Sequence, residues 1–185
     1  MNHEGILVSE RIDEVMMMCA RENPVYEQIS NFSIALYIIG HIRCADLMLL
    51  DDIDSTEAAC ILKEHYMQIR EEDLPSLYDI RESDERYLVV FGDPAFPEHF
   101  AVLANSTSAR PYFSKLRFFG SGFDSLEELK DEFLGKDGIR FSDVAFFRKK
   151  DSVSLNYSNP DKIYTIKDDG SYSVFEVNRQ TMQRR

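Results

Sequence analysis

The chain has 185 residues, of which 44% are hydrophobic and 29% charged, so it is long and apolar enough to bury a core and is not expected to be disordered. Its net charge is −12, which disfavours general nucleic-acid binding because phosphate contacts need clustered lysine and arginine. Residues 1–100 hold 21 acidic and 7 basic side chains, whereas residues 101–185 hold 12 and 14. This asymmetry indicates a solubilising surface or, alternatively, an acidic face for a basic partner.

Cysteine usage and the N-terminus indicate the compartment. The three cysteines, Cys19, Cys44 and Cys60, leave no complete disulfide set and lie in apolar segments, where a thiol behaves as a small hydrophobe. Residues 1–10 lack a basic stretch followed by an apolar one, so no signal peptide is predicted. We therefore expect a soluble protein in a reducing, cytoplasmic compartment.

The N-terminal part of the chain has helical periodicity. A first helix is predicted over residues 6–22 and ends at Asn23-Pro24. A second is predicted over residues 25–50, with a break near Ser30-Asn31. Because it is apolar nearly all round, we expect it to be the central, buried helix rather than a membrane span. Arg43 and Asp46 on this helix predict either a buried ion pair or a narrow solvent-facing edge.

A third helix and an exposed segment complete the first half. Asp54 and Glu57 have the spacing of a capping box, and the helix that they begin is predicted to end at Leu74-Pro75. The charge-rich residues 71–86 then predict a linker or an exposed connection.

The hydrophobic period changes near Arg86, and strands dominate the rest of the chain. A helix capped by Asp124 is predicted over residues 124–134, and Asp169-Gly170 predicts a tight hairpin turn. Before that hairpin, compact apolar runs predict strands over residues 87–91, 100–103, 112–119, 144–148 and 153–157.

These elements predict an α+β fold: an N-terminal three-helix layer packed with a mostly antiparallel β-sheet that carries one inserted helix. We interpret residues 1–80 as a helical N-terminal subdomain, residues 86–178 as an α+β domain with the antiparallel sheet, and residues 179–185 as a polar tail. One cooperative unit is the alternative.

The strongest candidate for a metal site lies between the second and third predicted helices. His41 and Cys44 are three residues apart and share a helix face. If the two helices form an antiparallel hairpin about residue 52, His65 meets them at the same level. Two imidazoles and a thiolate can ligate zinc or a similar divalent metal. The alternative is a pair of core histidines bonded to neighbours, with the rings still close and at least one of them neutral.

An anion site is the second candidate. Gly120, Ser121 and Gly122 stand between a predicted strand and a predicted helix, where backbone N–H groups can face an anion. The segment lacks the lysine and the full glycine spacing of a P-loop. A plain connecting turn is the alternative.

Three further clusters carry weaker signals. The basic-aromatic residues 110–119 resemble a base-stacking surface, although an edge strand with outward charges is the simpler interpretation. Asp51, Asp52 and Asp54 predict a solvated turn rather than a cation loop. Glu98-His99 makes a poor acid–base pair, because adjacent strand residues point to opposite faces.

The leading functional hypothesis is a non-catalytic ligand-binding or regulatory protein-interaction protein, because no catalytic motif stands in its required context. Its partner is then a protein or a small molecule, and self-association is left open. The alternative is a metal-dependent enzyme that uses His41, Cys44 and His65, and a nucleic-acid accessory protein is the third hypothesis.

Overall fold

The computed structural model describes residues 3–21, 29–42, 44, 47, 50, 52–116, 119–150, 162–166 and 172–176. For residues 3–6, 162–166 and 172–176 only the backbone is described. The chain forms two compact units, Met1–Lys150 and Asp151–Arg185. None of the described helices is both long enough and apolar enough to cross a membrane.

A six-stranded antiparallel sheet organises the first unit, in the order β1-β6-β2-β3-β4-β5. Residues Leu88 to Phe91 and Phe100 to Leu103 are buried at every position, so the two central strands are covered on both faces. The strands are β1 Tyr66–Ile69, β2 Tyr87–Asp93, β3 Phe96–Leu103, β4 Tyr112–Leu116, β5 Gly120–Asp124 and β6 Val144–Lys149.

Helices cover both faces of this sheet. Phe100 packs edge-on against Phe32, whereas its neighbour His99 stacks on Phe133. Because successive strand residues point to opposite faces, the helices that carry Phe32 and Phe133 lie on opposite sides of β3. The α-helices among the described residues are α1 His3–Cys19, α2 Asn31–Ile38, α3 Ser55–His65 and α4 Leu126–Phe133. The α+β class predicted from the sequence is confirmed.

The second predicted helix is real but much shorter than its apolar pattern indicated. In α2 every residue from Phe32 to Ile38 is buried, as expected for a central helix. Ser30 caps its N-terminus, where the break was predicted. The helix ends at Ile38, because Gly40 adopts a positive φ of 70° that stops it. The prediction of helix from there to residue 50 is wrong for the described positions, and Asn23-Pro24, Arg43 and Asp46 lie outside them.

The third predicted helix also ends early. Its capping box is confirmed, since Asp54 accepts from the backbone N–H of Glu57, whose side chain accepts from Asp54 in return. The chain leaves the helix at His65 and forms the edge strand β1, which pairs with β6. Lys150 fixes this end through its ammonium, which donates to the carbonyls of Lys63 and Glu64. Helix over residues 66–74 is therefore a wrong prediction.

Residues 71–86 are mostly exposed, as their charge predicted, but a few of them anchor the segment to the sheet. Tyr78, Ile80 and Arg86 are buried. The hydroxyl of Tyr78 donates to the carbonyl of Glu85, and an isolated bridge joins Asp79 to Asn105. The segment therefore packs against the sheet.

The helix predicted over residues 124–134 is present as α4, with its cap one residue later than predicted. Ser125 and Glu128 form the capping box, whereas Asp124 pairs with Arg21. The carboxylate of Asp124, which was predicted to cap the helix, thus binds Arg21 instead.

In the second unit the strands β7 Lys162–Ile166 and β8 Tyr172–Glu176 pair antiparallel, as predicted. The turn residues Asp169-Gly170, the strand predicted over residues 153–157 and the tail over residues 179–185 lie outside the described residues.

Candidate functional site

The candidate site is a cavity of the first unit that lies where β3 and β4 separate. Their ladder consists of two residue pairs, Val102 with Phe113 and Leu103 with Tyr112, although β3 begins six residues earlier at Phe96. The strand ends beyond this short ladder enclose a cavity of about 550 Å³. That volume is within the usual range for small-molecule sites.

The open edge of β3 is satisfied by a side chain instead of a strand. Asn31 at the start of α2 accepts a hydrogen bond from the backbone N–H of Phe100 at 2.9 Å and donates to the carbonyl of Glu98 at 3.3 Å. The preceding Ser30 donates its N–H to Asp52 at 3.0 Å. These contacts hold the N-terminus of α2 against the cavity, which Ser30, Asn31 and Asp52 all line.

His99 supplies the most distinctive group of the cavity wall. The side chain is 2% exposed and stacks on Phe133 at 4.2 Å between ring centroids. Its Nε2 is buried and has no hydrogen-bond partner among the described residues, an arrangement that normally costs about 1–3 kcal/mol. Burial lowers the pKa of His99 to about 3, so the ring is neutral at neutral pH. His99 thus places an unpaired buried nitrogen beside the cavity, although the nitrogen itself has almost no surface open to it.

Lys115 brings a buried cation to the same cavity. It is 4% exposed, and its ammonium donates to the carbonyl of Ile29 at 2.6 Å. On β5, beside this lysine, Ser121 lies 3.2 Å from the thiol of Cys19. Burial raises the pKa of Cys19, and this outweighs the opposite effects of Ser121 and Lys115. The thiol is therefore a neutral, buried group that does not line the cavity.

The rim of the cavity is rich in carboxylates. Asp52, Glu98, Glu132 and Asp137 line it and are exposed, and Lys136 lies 3.7 Å from Glu132. The apolar part of the wall comes from Ile29, Phe119, Phe133 and Ile139.

A tight loop after α4 places part of this rim. Gly135, Asp137 and Gly138 all have positive φ, at 74°, 49° and 85°. The N–H of Gly135 donates to the carbonyl of Ile139, and the N–H of Ile139 donates to that of Lys136. Glycine and aspartate tolerate such backbone angles better than most residues. The loop thus turns the chain back so that Lys136, Asp137 and Ile139 border the cavity.

The predicted proximity of His41 and His65 is confirmed, with ring centroids 4.8 Å apart. The helical hairpin that motivated the prediction is wrong, because α2 ends before His41. Burial lowers the pKa of His41, and electrostatic interaction with His65 and Lys149 lowers it further. The lowered pKa favours the neutral form of the His41 ring.

Cys44 does not complete a metal site with these rings. Within the described part of the chain, no three His, Cys, Asp or Glu side chains are arranged to hold a metal ion. Cys44 instead acts electrostatically on Tyr37, whose pKa is raised mainly by burial and by its hydrogen bond to Glu14. All three cysteines are described, and none of them forms a disulfide.

Gly120, Ser121 and Gly122 do not form the connecting turn on which the anion-site prediction was based, because they lie within β5 and are buried. A Cβ on Gly120, where φ is 69°, would lie 2.7 Å from the carbonyl oxygens of Cys19 and Ala20. A parallel bridge joins Ala20 to Ser121. The glycines therefore allow the end of α1 to approach the sheet edge closely.

The other weak clusters are dispersed. Within residues 110–119, Tyr112 and Phe113 are buried and Arg110 pairs with Glu128 at 2.6 Å, so they form no continuous stacking surface; Arg117 and Phe118 lie outside the described residues. Asp54 caps α3, and Asp51 is not described. Glu98 is exposed and His99 is buried, as their opposite orientation predicted.

Sequence reasoning missed the cavity itself, although two signals for it were visible. Apart from the neighbouring Glu98, His99 stands in an apolar segment, and Lys115 follows the buried Tyr112 and Phe113 at a position where solvent-facing charge was expected. The gap between β3 and β4 depends on tertiary pairing that the sequence does not show.

Comparison of the chain with protein-family models, with curated proteins and with solved structures found no match.

Proposed function

We propose that this protein is a non-catalytic small-molecule-binding protein whose ligand occupies the cavity between β3 and β4, hereafter the β3/β4 cleft. The observation that carries the proposal is the buried, unpartnered Nε2 of His99 in the wall of a cavity of about 550 Å³. A buried nitrogen without a hydrogen-bond partner destabilises the folded protein unless another group pairs with it. A ligand that reaches this nitrogen after a small movement of the ring supplies that partner.

The chemistry of the cleft favours binding over catalysis. A general base works best with a pKa near the working pH, whereas burial holds the pKa of His99 at about 3. Cys19, which interacts electrostatically with Lys115, is fully buried and has a raised pKa. Neither group has the protonation behaviour of a catalytic base or nucleophile.

The architecture also supports a regulatory role. The cleft is bordered by β3, β4, the start of α2 and the end of α4, so its ligand contacts four elements at once. Asn31 already joins α2 to the edge of β3. A ligand that binds the folded protein stabilises all of these elements together, by an amount that grows with its concentration relative to Kd.

A fragment library screened by protein-observed NMR tests the proposal. We expect fragments that shift the His99 ring signals and whose binding is lost in His99→Leu. The matched control is His65→Leu, because His65 is a half-exposed histidine outside the cleft. A library in which every binder contacts residues away from the cleft contradicts the proposal.

A further inference from the structure

We infer that the ligand of the β3/β4 cleft is a neutral polyhydroxylated molecule of mono- to disaccharide size. This inference rests on the binding function proposed above and adds its chemical class. The floor, the rim and the walls of the cleft differ in chemistry, and each restricts the class of ligand.

The floor excludes a cationic group. Lys115 is buried there, and its ammonium bonds the carbonyl of Ile29. A second positive charge beside a buried ammonium is strongly disfavoured. The ring of His99 is neutral and therefore does not attract a charged ligand. Its Nε2, however, lacks a hydrogen-bond partner among the described residues. A hydroxyl can donate to this nitrogen or accept from it, whichever tautomer the imidazole adopts.

The rim disfavours an anionic ligand. Four exposed carboxylates border the opening, those of Asp52, Glu98, Glu132 and Asp137. Lys136 offers a positive charge there, but it lies 3.7 Å from Glu132 and is partly neutralised by it. Carboxylates are pure acceptors when ionised, so they call for a ligand that carries several donors.

A neutral polyol satisfies both ends of the cleft. Its hydroxyls donate to the rim carboxylates and accept from ammonium or amide donors, without placing a net charge beside either. The apolar wall suits the C–H faces of a sugar ring, since Phe119 is 57% exposed and Phe133 is half-buried at the cavity. Aromatic faces carry partial negative charge that attracts such C–H groups.

Saturation-transfer NMR on the full chain tests the inference with a fixed panel. The neutral probes are glucose, galactose, mannose, maltose and sucrose; the cations are choline and putrescine; the anions are citrate and phosphate. We expect at least one saccharide to bind, the signal to persist in His65→Leu and to disappear in His99→Leu, and its affinity to be insensitive to salt.

The possible failures separate the two proposals. If no saccharide binds while a cation, an anion or a library fragment occupies the cleft, the ligand class is wrong and the binding function stands. If neither the panel nor the fragment library reaches the cleft, both are overturned. Binding that weakens steeply with salt also overturns the neutral class, because charge pairs are screened.

A matched pair of variants on α4 tests the rim. Glu132 lines the cavity, whereas Glu127 is exposed and pairs with Lys130 away from it. We expect Glu132→Gln to weaken saccharide binding about two- to ten-fold, the value of one hydrogen bond, and Glu127→Gln to leave it unchanged. Equal effects of the two variants, or none from Glu132→Gln, contradict the assigned role of the rim.

Discussion

His99 and Tyr66 are both buried side chains with an unpartnered polar atom, yet their surroundings differ. Tyr66 is 3% exposed and does not line the cavity, so its hydroxyl is a structural cost within the core. His99 lines the cavity, where a ligand can offset that cost. An unpaired polar atom thus points to function only when a cavity lies beside it.

The unusual pKa of His99 predicts a specific dependence of stability on pH. Burial lowers the folded-state pKa to about 3, whereas the ring has its ordinary value of about 6.5 when the chain is unfolded. Between these values the unfolded state binds a proton that the folded state does not. Protonation of His99 in the unfolded state therefore does not change the stability above about pH 6.5. As the pH falls below that value, it lowers the stability progressively.

We expect His99→Leu to gain stability relative to the wild type as the pH is lowered, by about 2 kcal/mol between about pH 7 and about pH 5. Urea denaturation of both proteins at the two pH values measures this difference. The other titrating groups are common to both proteins, so their contributions cancel. Parallel pH profiles for the two proteins would show that the ring is solvated or paired in solution.

At the scale of elements, local chemistry was predicted well and distant pairing was not. The capping box of Asp54 and Glu57 depends on residues three apart, so the sequence contains all of it. Two overlapping boxes were available before α4, starting at Asp124 and at Ser125. The second forms, because Arg21 pairs with Asp124 from 103 residues away.

The edge strand β1 shows the same limit. Its partner β6 follows about eighty residues later, and the period of residues 55–69 alone favours a helix throughout. Tertiary pairing overrode that local preference. The separation of β3 from β4, which creates the cleft, likewise depends on Asn31 reaching the edge of β3. The site was therefore less predictable than the helices that border it.

The contact between α1 and β5 gives a prediction at this scale. Gly120 has a positive φ, and a Cβ there would lie 2.7 Å from two carbonyl oxygens. Gly138 also has a positive φ, but no atom lies within 4 Å of its Cβ position. We expect Gly138→Ala to cost about 1–2 kcal/mol of unfolding free energy, from backbone strain alone. Gly120→Ala should cost about 3 kcal/mol or more, because the backbone of α1 must also move.

Denaturant titrations of the two alanine variants measure these costs, and Gly138→Ala is the matched control for strain. Equal losses would show that the end of α1 does not press on β5 in solution. The distinction also separates the observed role of Gly120, which is close packing, from the anion turn that its sequence context predicted.

At the scale of the whole molecule, the change of hydrophobic period near Arg86 was enough to predict the α+β class. It was not enough to predict how the chain is divided between layers. The sheet takes β1 from the part predicted to be helical, and the segment joining the two parts is buried at Tyr78, Ile80 and Arg86. Helical and β parts of the first unit therefore share one core, which suggests that they unfold together.

A pair of truncations tests this organisation. All six strands of the main sheet lie within residues 1–150, and Lys150 itself bonds the end of α3 through its N–H and its ammonium. We expect the fragment that ends after Lys150 to fold and to melt in one cooperative transition. The fragment that ends after Asp143 loses β6, which stands between β1 and β2 and contributes Phe146 and Phe147 to the core. Because an inner strand and its ladder on both sides are removed, this shorter fragment should not fold.

Circular dichroism melts compare the two fragments with the full chain. Failure of the longer fragment to fold would show that Asp151–Arg185 is required for the stability of the sheet, and folding of the shorter one would show that β6 is dispensable.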